Sequence, residues 1–201
     1  MSYIKIVGTI FVAVSGILMC TSLLRKNEYY FNLRSVIKRH LRLFKNCKSQ
    51  YIIFYGLPLL FSAGLALLCE ANSQFFSELS VILSILISIL FAILSILCGQ
   101  DYATVSNEEQ KKREKVVLLD TVNAIVFTAF LCIFLLLYGL VFSLVDAVAF
   151  DWLPFNIEIL KRIVSGVAYY FFTVILFNLF LIFKHMSKLI EFNLNAPKKE
   201  N

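Results

Sequence analysis

The sequence predicts an all-α, polytopic transmembrane bundle, and three observations predict it. Apolar residues are gathered into five runs of 19 to 25 residues, separated by short polar stretches. Such a run crosses about 30 Å of hydrocarbon at about 1.5 Å per residue. The chain of 201 residues is 60% hydrophobic, with a mean hydropathy of +0.81. Soluble domains usually hold about 45–50% apolar residues. Lastly, the cations are spread unevenly among the polar stretches. Eight of them (Arg25, Lys26, Arg34, Lys38, Arg39, Arg42, Lys45 and Lys48) crowd between the first two runs, with Glu28 as the one acid there. Short loops rich in Lys and Arg stay on the cytoplasmic side, so this loop is expected inside the cell.

The first run, 6–24, ends in Arg25-Lys26 with no small-residue cleavage site before it. It is expected to be a retained span with the N-terminus outside. The basic loop, 25–50, has helical period. Tyr29, Tyr30, Leu33, Val36, Ile37, Leu41 and Phe44 share one face, and Arg34, Lys38, Arg42 and Lys45 the opposite one. This pattern predicts an amphipathic helix on the inner membrane surface, with cations toward anionic lipid headgroups. Arg34, Lys38, Arg39, Arg42 and Lys45 are the candidate contacts for lipid or for a soluble partner. The second run, 51–69, contains Pro58, which removes a backbone donor and predicts a kink.

The polar stretch 70–78 carries two acids and no cation, and belongs outside. The third run, 79–97, carries Ser80, Ser84 and Ser88 four residues apart. Small residues on one face allow close helix packing in lipid; lining a pore is the alternative use. The charged loop, 99–120, is expected to lengthen the fourth span, 121–145, into the cytoplasm. Asp120 is expected to cap that span, where the helix dipole favours an acid. Phe150, Trp152 and Phe155 suggest an outer interfacial belt. The fifth span is 163–183. Asn123 and Asn178 fall at similar depth in the last two spans and are expected to bond each other. Four spans result if two runs merge or if the Pro58 run turns back without crossing.

Five spans with an outer N-terminus place sixteen of the nineteen cations inside and three outside. The net charge of +6 then follows from topology, and nucleic acid is not needed to explain it. Cys20, Cys47, Cys69, Cys98 and Cys132 form no CxxC pair and read as buried packing residues. His40 and His185 read as isolated. Phosphate-binding, zinc-protease, nucleophile-elbow and dinucleotide signatures are lacking, so neither enzyme nor cofactor is expected.

The order of parts resembles a known family. These are several hydrophobic helices, a basic amphipathic loop after the first, Gly-Leu-Pro-Leu-Leu at 56–60, and a charged loop before the fourth span. The chain resembles the small membrane subunits of bacterial antiphage defence systems, in particular the KwaA family of the Kiwa system. That resemblance implies an oligomeric inner-membrane protein that senses infection and works with a soluble cytoplasmic effector. It carries over no catalytic residue.

Overall fold

An apolar segment in lipid must satisfy its backbone internally, which leaves a leucine-rich chain little choice but helix. The computed structural model describes residues 14, 21, 33–42, 48–99, 108–147 and 157–195. Every regular element among them is helical. α1 (Leu33–Arg42) is followed by a short α2 (Lys48–Tyr51), a π-helical segment (Ile52–Gly56) and α3 (Leu57–Leu68). The long helices are α4 (Ser73–Gly99), α5 (Glu108–Ala147) and α6 (Ile157–Asn195).

α4, α5 and α6 are long and apolar enough to cross a membrane. A shorter apolar helix, Ile52–Leu68, makes a fourth member of the bundle. Only Val14 and Thr21 of the first predicted span are described, and both are helical; the rest of that span, Lys45, Cys20, Cys47 and the belt around Trp152 lie outside the described residues. The third, fourth and fifth spans are longer than expected. α4 starts at Ser73, inside the stretch read as an outer loop, because Asn72 accepts the Phe75 N–H through its side chain and starts the helix early. The expected helical extension ahead of the fourth span is present, since α5 begins at Glu108.

Pro58 lies at the start of α3, and the π-helical segment directly precedes it. Proline has no N–H for the carbonyl four residues back and crowds it with its ring. The wider turn absorbs this conflict: the Leu57 N–H reaches back five residues to the Ile52 carbonyl. Helical backbone therefore continues from Lys48 to Leu68.

α5 is central, packing on α4, α6 and α1, while α3 lies against the far side of α6. Buried residues recur every seven positions on each long helix: Phe76, Leu83, Leu90 and Leu97 on α4; Thr121, Thr128, Leu135 and Phe142 on α5; Ala168, Ile175, Ile182 and Leu189 on α6. A seven-residue repeat is the mark of helices crossing at the shallow left-handed angle of a coiled coil. The core has an upper half around Phe76, Leu83 and Leu135 and a lower half around Leu90, Ile125 and Ile182. Exposed leucine, isoleucine and phenylalanine cover much of the outside, as a lipid-facing surface requires.

The upper end is pinned by polar contacts. The Ala71 N–H donates to Ser165 Oγ at 2.8 Å, and Arg162 Nη1 donates to the Leu67 carbonyl at 3.0 Å. Arg162 also meets Glu70 at 3.3 Å. Between α5 and α6, the Tyr138 hydroxyl donates to the Val164 carbonyl at 3.0 Å.

Candidate functional site at the basic end

The lower end of the bundle gathers most of the cations whose side chains are described. α1 lies across α5 there, and Lys38, Arg39 and Arg42 are exposed on it. Lys112, Arg113 and Lys115 at the start of α5 and Lys184 and Lys188 near the end of α6 are exposed at the same end. Arg34 is on α1. Three of the five cations singled out from the sequence thus stand on one helix face, directed away from the bundle.

What faces inward from α1 is a histidine. His40 is fully buried, and its ring stacks on Phe127 of α5 at 4.0 Å between centroids, 12° from parallel. The sequence carried the signal: His40 continues the Leu33, Val36, Ile37 and Phe44 stripe at three- and four-residue steps. Leu41, on the same apolar stripe, is exposed. His185 of α6 is near enough for its charge to act on His40, so the two histidines are not isolated. Burial, and after it the His185 imidazole, pull His40 from its ordinary 6.5 to about 4. His40 is therefore neutral at pH 7.

Asp120 of α5 exchanges charge effects with His185 across the helix pair. It caps nothing, because α5 begins twelve residues earlier at Glu108. Glu114, on the same helix, is buried although nothing in the sequence marked it out. Among the described residues, no three His, Cys, Asp or Glu side chains converge as a metal site.

Asn123 and Asn178 do not bond. Asn178 is fully buried, donates from Nδ2 to the Val174 carbonyl of its own helix at 2.9 Å, and leaves Oδ1 without a partner. Asn123 is only half-buried. A helix carbonyl one turn back is always within reach of a short amide, and here it outcompetes the neighbouring helix.

Ser84 and Ser88 point out of the bundle, and Ser80 is half-buried at a groove of about 500 Å3 between α4 and α5. The Ser80, Ser84 and Ser88 hydroxyls donate to the carbonyls of Ser77, Ser80 and Ser84 respectively, at 2.7 to 3.0 Å. Ser84 and Ser88 therefore face away from the other described helices, while Ser80 borders α5. Cys132 is buried as expected, but Cys69 and Cys98 are exposed.

No protein family, curated protein or solved structure matches the chain.

Proposed function

We propose that this chain is a non-enzymatic membrane sensor or scaffold subunit that offers its basic end to an acidic soluble partner and to anionic lipid. The observation that carries the reading is α1: Lys38, Arg39 and Arg42 are exposed while His40 anchors the helix on α5. Cations fixed on a packed helix lose less freedom on binding than cations on a loose loop. By the bias of Lys and Arg, this end faces the cytoplasm, and the resemblance implies a bacterial inner membrane. The resemblance to Kiwa membrane subunits fits a role in antiphage defence, with several copies assembled in the membrane.

The test is the triple variant Lys38→Glu, Arg39→Glu, Arg42→Glu. It is expected to insert and fold normally and to lose a co-purifying acidic protein and the defence phenotype. A variant that retains both removes the docking reading.

A pore is the second reading, favoured by the outward direction of Ser84 and Ser88, which are available to a second copy. It requires that Ser84→Leu and Ser88→Leu abolish ion conductance in planar bilayers. Unchanged conductance in those variants eliminates it.

A further inference from the structure

α1 stands higher on the bundle than the other cations at its lower end. The Tyr138 hydroxyl bonds the Val164 carbonyl and so fixes α5 against α6. Counted from that bond, Lys184 is twenty residues down α6, about 30 Å. Phe127, on which His40 of α1 stacks, is eleven residues down α5, about 16 Å. α1 therefore docks within the height of the apolar stretches, and its exposed Lys38, Arg39 and Arg42 are carried up with it. α1 has no acid of its own. Cations at such a depth need an anion beside them, and acyl chains supply none.

The same part of α5 has an open groove. Between α4 and α5 lies a cleft of about 220 Å3, with Leu90 and Leu94 on one wall and Ile125, Ala129 and Ile133 on the other. Its lining is apolar throughout. Phe130 forms the rim, one turn above Phe127 and its neighbour on the surface of α5, so the groove opens beside α1. It rises from there to Ile133, about 9 Å above Phe127.

We propose that this groove holds one acyl chain of an anionic phospholipid, whose phosphate lies against Lys38, Arg39 and Arg42 of α1. Both halves of that molecule are needed. A chain alone would fill the groove without meeting the cations, and a free phosphate would leave apolar surface uncovered. A zwitterionic headgroup carries its own ammonium and offers the cations no net charge. The larger upper groove between α4 and α5 lacks this pairing: Ser73, Ser77 and Ser80 line it in part, and no cation does. The inference rests on anionic lipid as a partner of the basic face and adds the place where it binds.

Native mass spectrometry of the full chain in neutral detergent tests it, with equal amounts of dioleoyl phosphatidylglycerol and dioleoyl phosphatidylcholine. One phosphatidylglycerol per chain should be retained, preferred about 10-fold over phosphatidylcholine. Lys38→Gln, Arg39→Gln and Arg42→Gln together should abolish the preference. Ile133→Trp, which fills the groove from its exposed edge, should evict the lipid with all three cations in place. Leu140→Trp, in the upper groove, should not. Glycerol phosphate, a headgroup without chains, should not displace the lipid. The inference is overturned by a wild type without preference, by a preference that survives the triple variant, by lipid retained in Ile133→Trp or lost equally in Leu140→Trp, or by displacement with glycerol phosphate. Ile133→Trp leaves the basic face intact and should still co-purify the acidic partner, so failure of the groove and failure of the docking reading give different results. Where a variant does not fold, the wild-type competition with phosphatidylcholine and glycerol phosphate still decides.

Discussion

Phe76 and Gly139 meet where α4 crosses α5, and the fit leaves no room for a methyl group. A Cβ added at Gly139 would stand 2.9 Å from the Phe76 ring, which is itself buried. Gly139→Ala is therefore expected to destabilise the α4–α5 contact by about 1–3 kcal/mol, as overpacking does. Thermal unfolding in detergent, followed by near-UV absorption of the tyrosines, reads this directly. The opposite outcome is expected at Asn178. Its Oδ1 is buried and accepts nothing, so Asn178→Leu removes a desolvated acceptor and should leave stability equal or raise it by about 1 kcal/mol. A marked loss of stability would mean that the amide has a role that its bond to Val174 does not express. At this scale the sequence was a poor guide. It offered Asn123 and Asn178 at matching depth, but depth does not say which way a side chain turns around its helix. His40 was the reverse case: its position in the α1 stripe was legible, and its being a histidine drew attention away from the stripe.

Element boundaries were legible where polar residues interrupt the apolar runs, and wrong where a polar residue can also start a helix. Asn72 did this for α4; the early start of α5 at Glu108 was instead legible in the helical tail of the charged loop. The seven-residue repeats of the long helices were not legible, because lipid removes the contrast that normally reveals a core. Leu83 faces the core and Ile85 faces outward, yet both are apolar. The outer position of α4 follows from the same comparison: 17% of its apolar stretch is buried, against 44% for α5 and 39% for α6. Ser84 and Ser88 lie on its open side, with their hydroxyls satisfied within the helix. Replacing both with leucine should leave the unfolding temperature of the detergent-solubilised monomer within about 1 °C, since nothing within the chain packs on them. Any effect should appear only in cross-linking between copies or in conductance.

The whole molecule has a polar asymmetry that two native cysteines can report. Cys69 follows α3 at the end pinned by Glu70 and Arg162, whereas Cys98 lies near the opposite end of α4. Both are exposed. With single-cysteine variants, a membrane-impermeant maleimide applied to intact spheroplasts should label Cys69 and spare Cys98, and permeabilisation should make Cys98 reactive. Labelling of Cys98 alone on intact spheroplasts would invert the orientation assigned from the Lys and Arg bias. Membrane class and the antiparallel run of the helices could be read from hydropathy and charge. Which helix is central could not, because α4 is the most apolar of the three and yet the most peripheral.

The length of α5 has a mechanical side. Its 40 residues make a rod of about 60 Å, twice the thickness of the hydrocarbon it crosses. A rigid rod pivoting in the bilayer is a lever. A tilt of about 10° around the midplane would carry its charged tip sideways by roughly 5 Å, one helical turn's worth of travel. Because α5 packs on α4, α6 and α1, the bundle would have to tilt with it as one body.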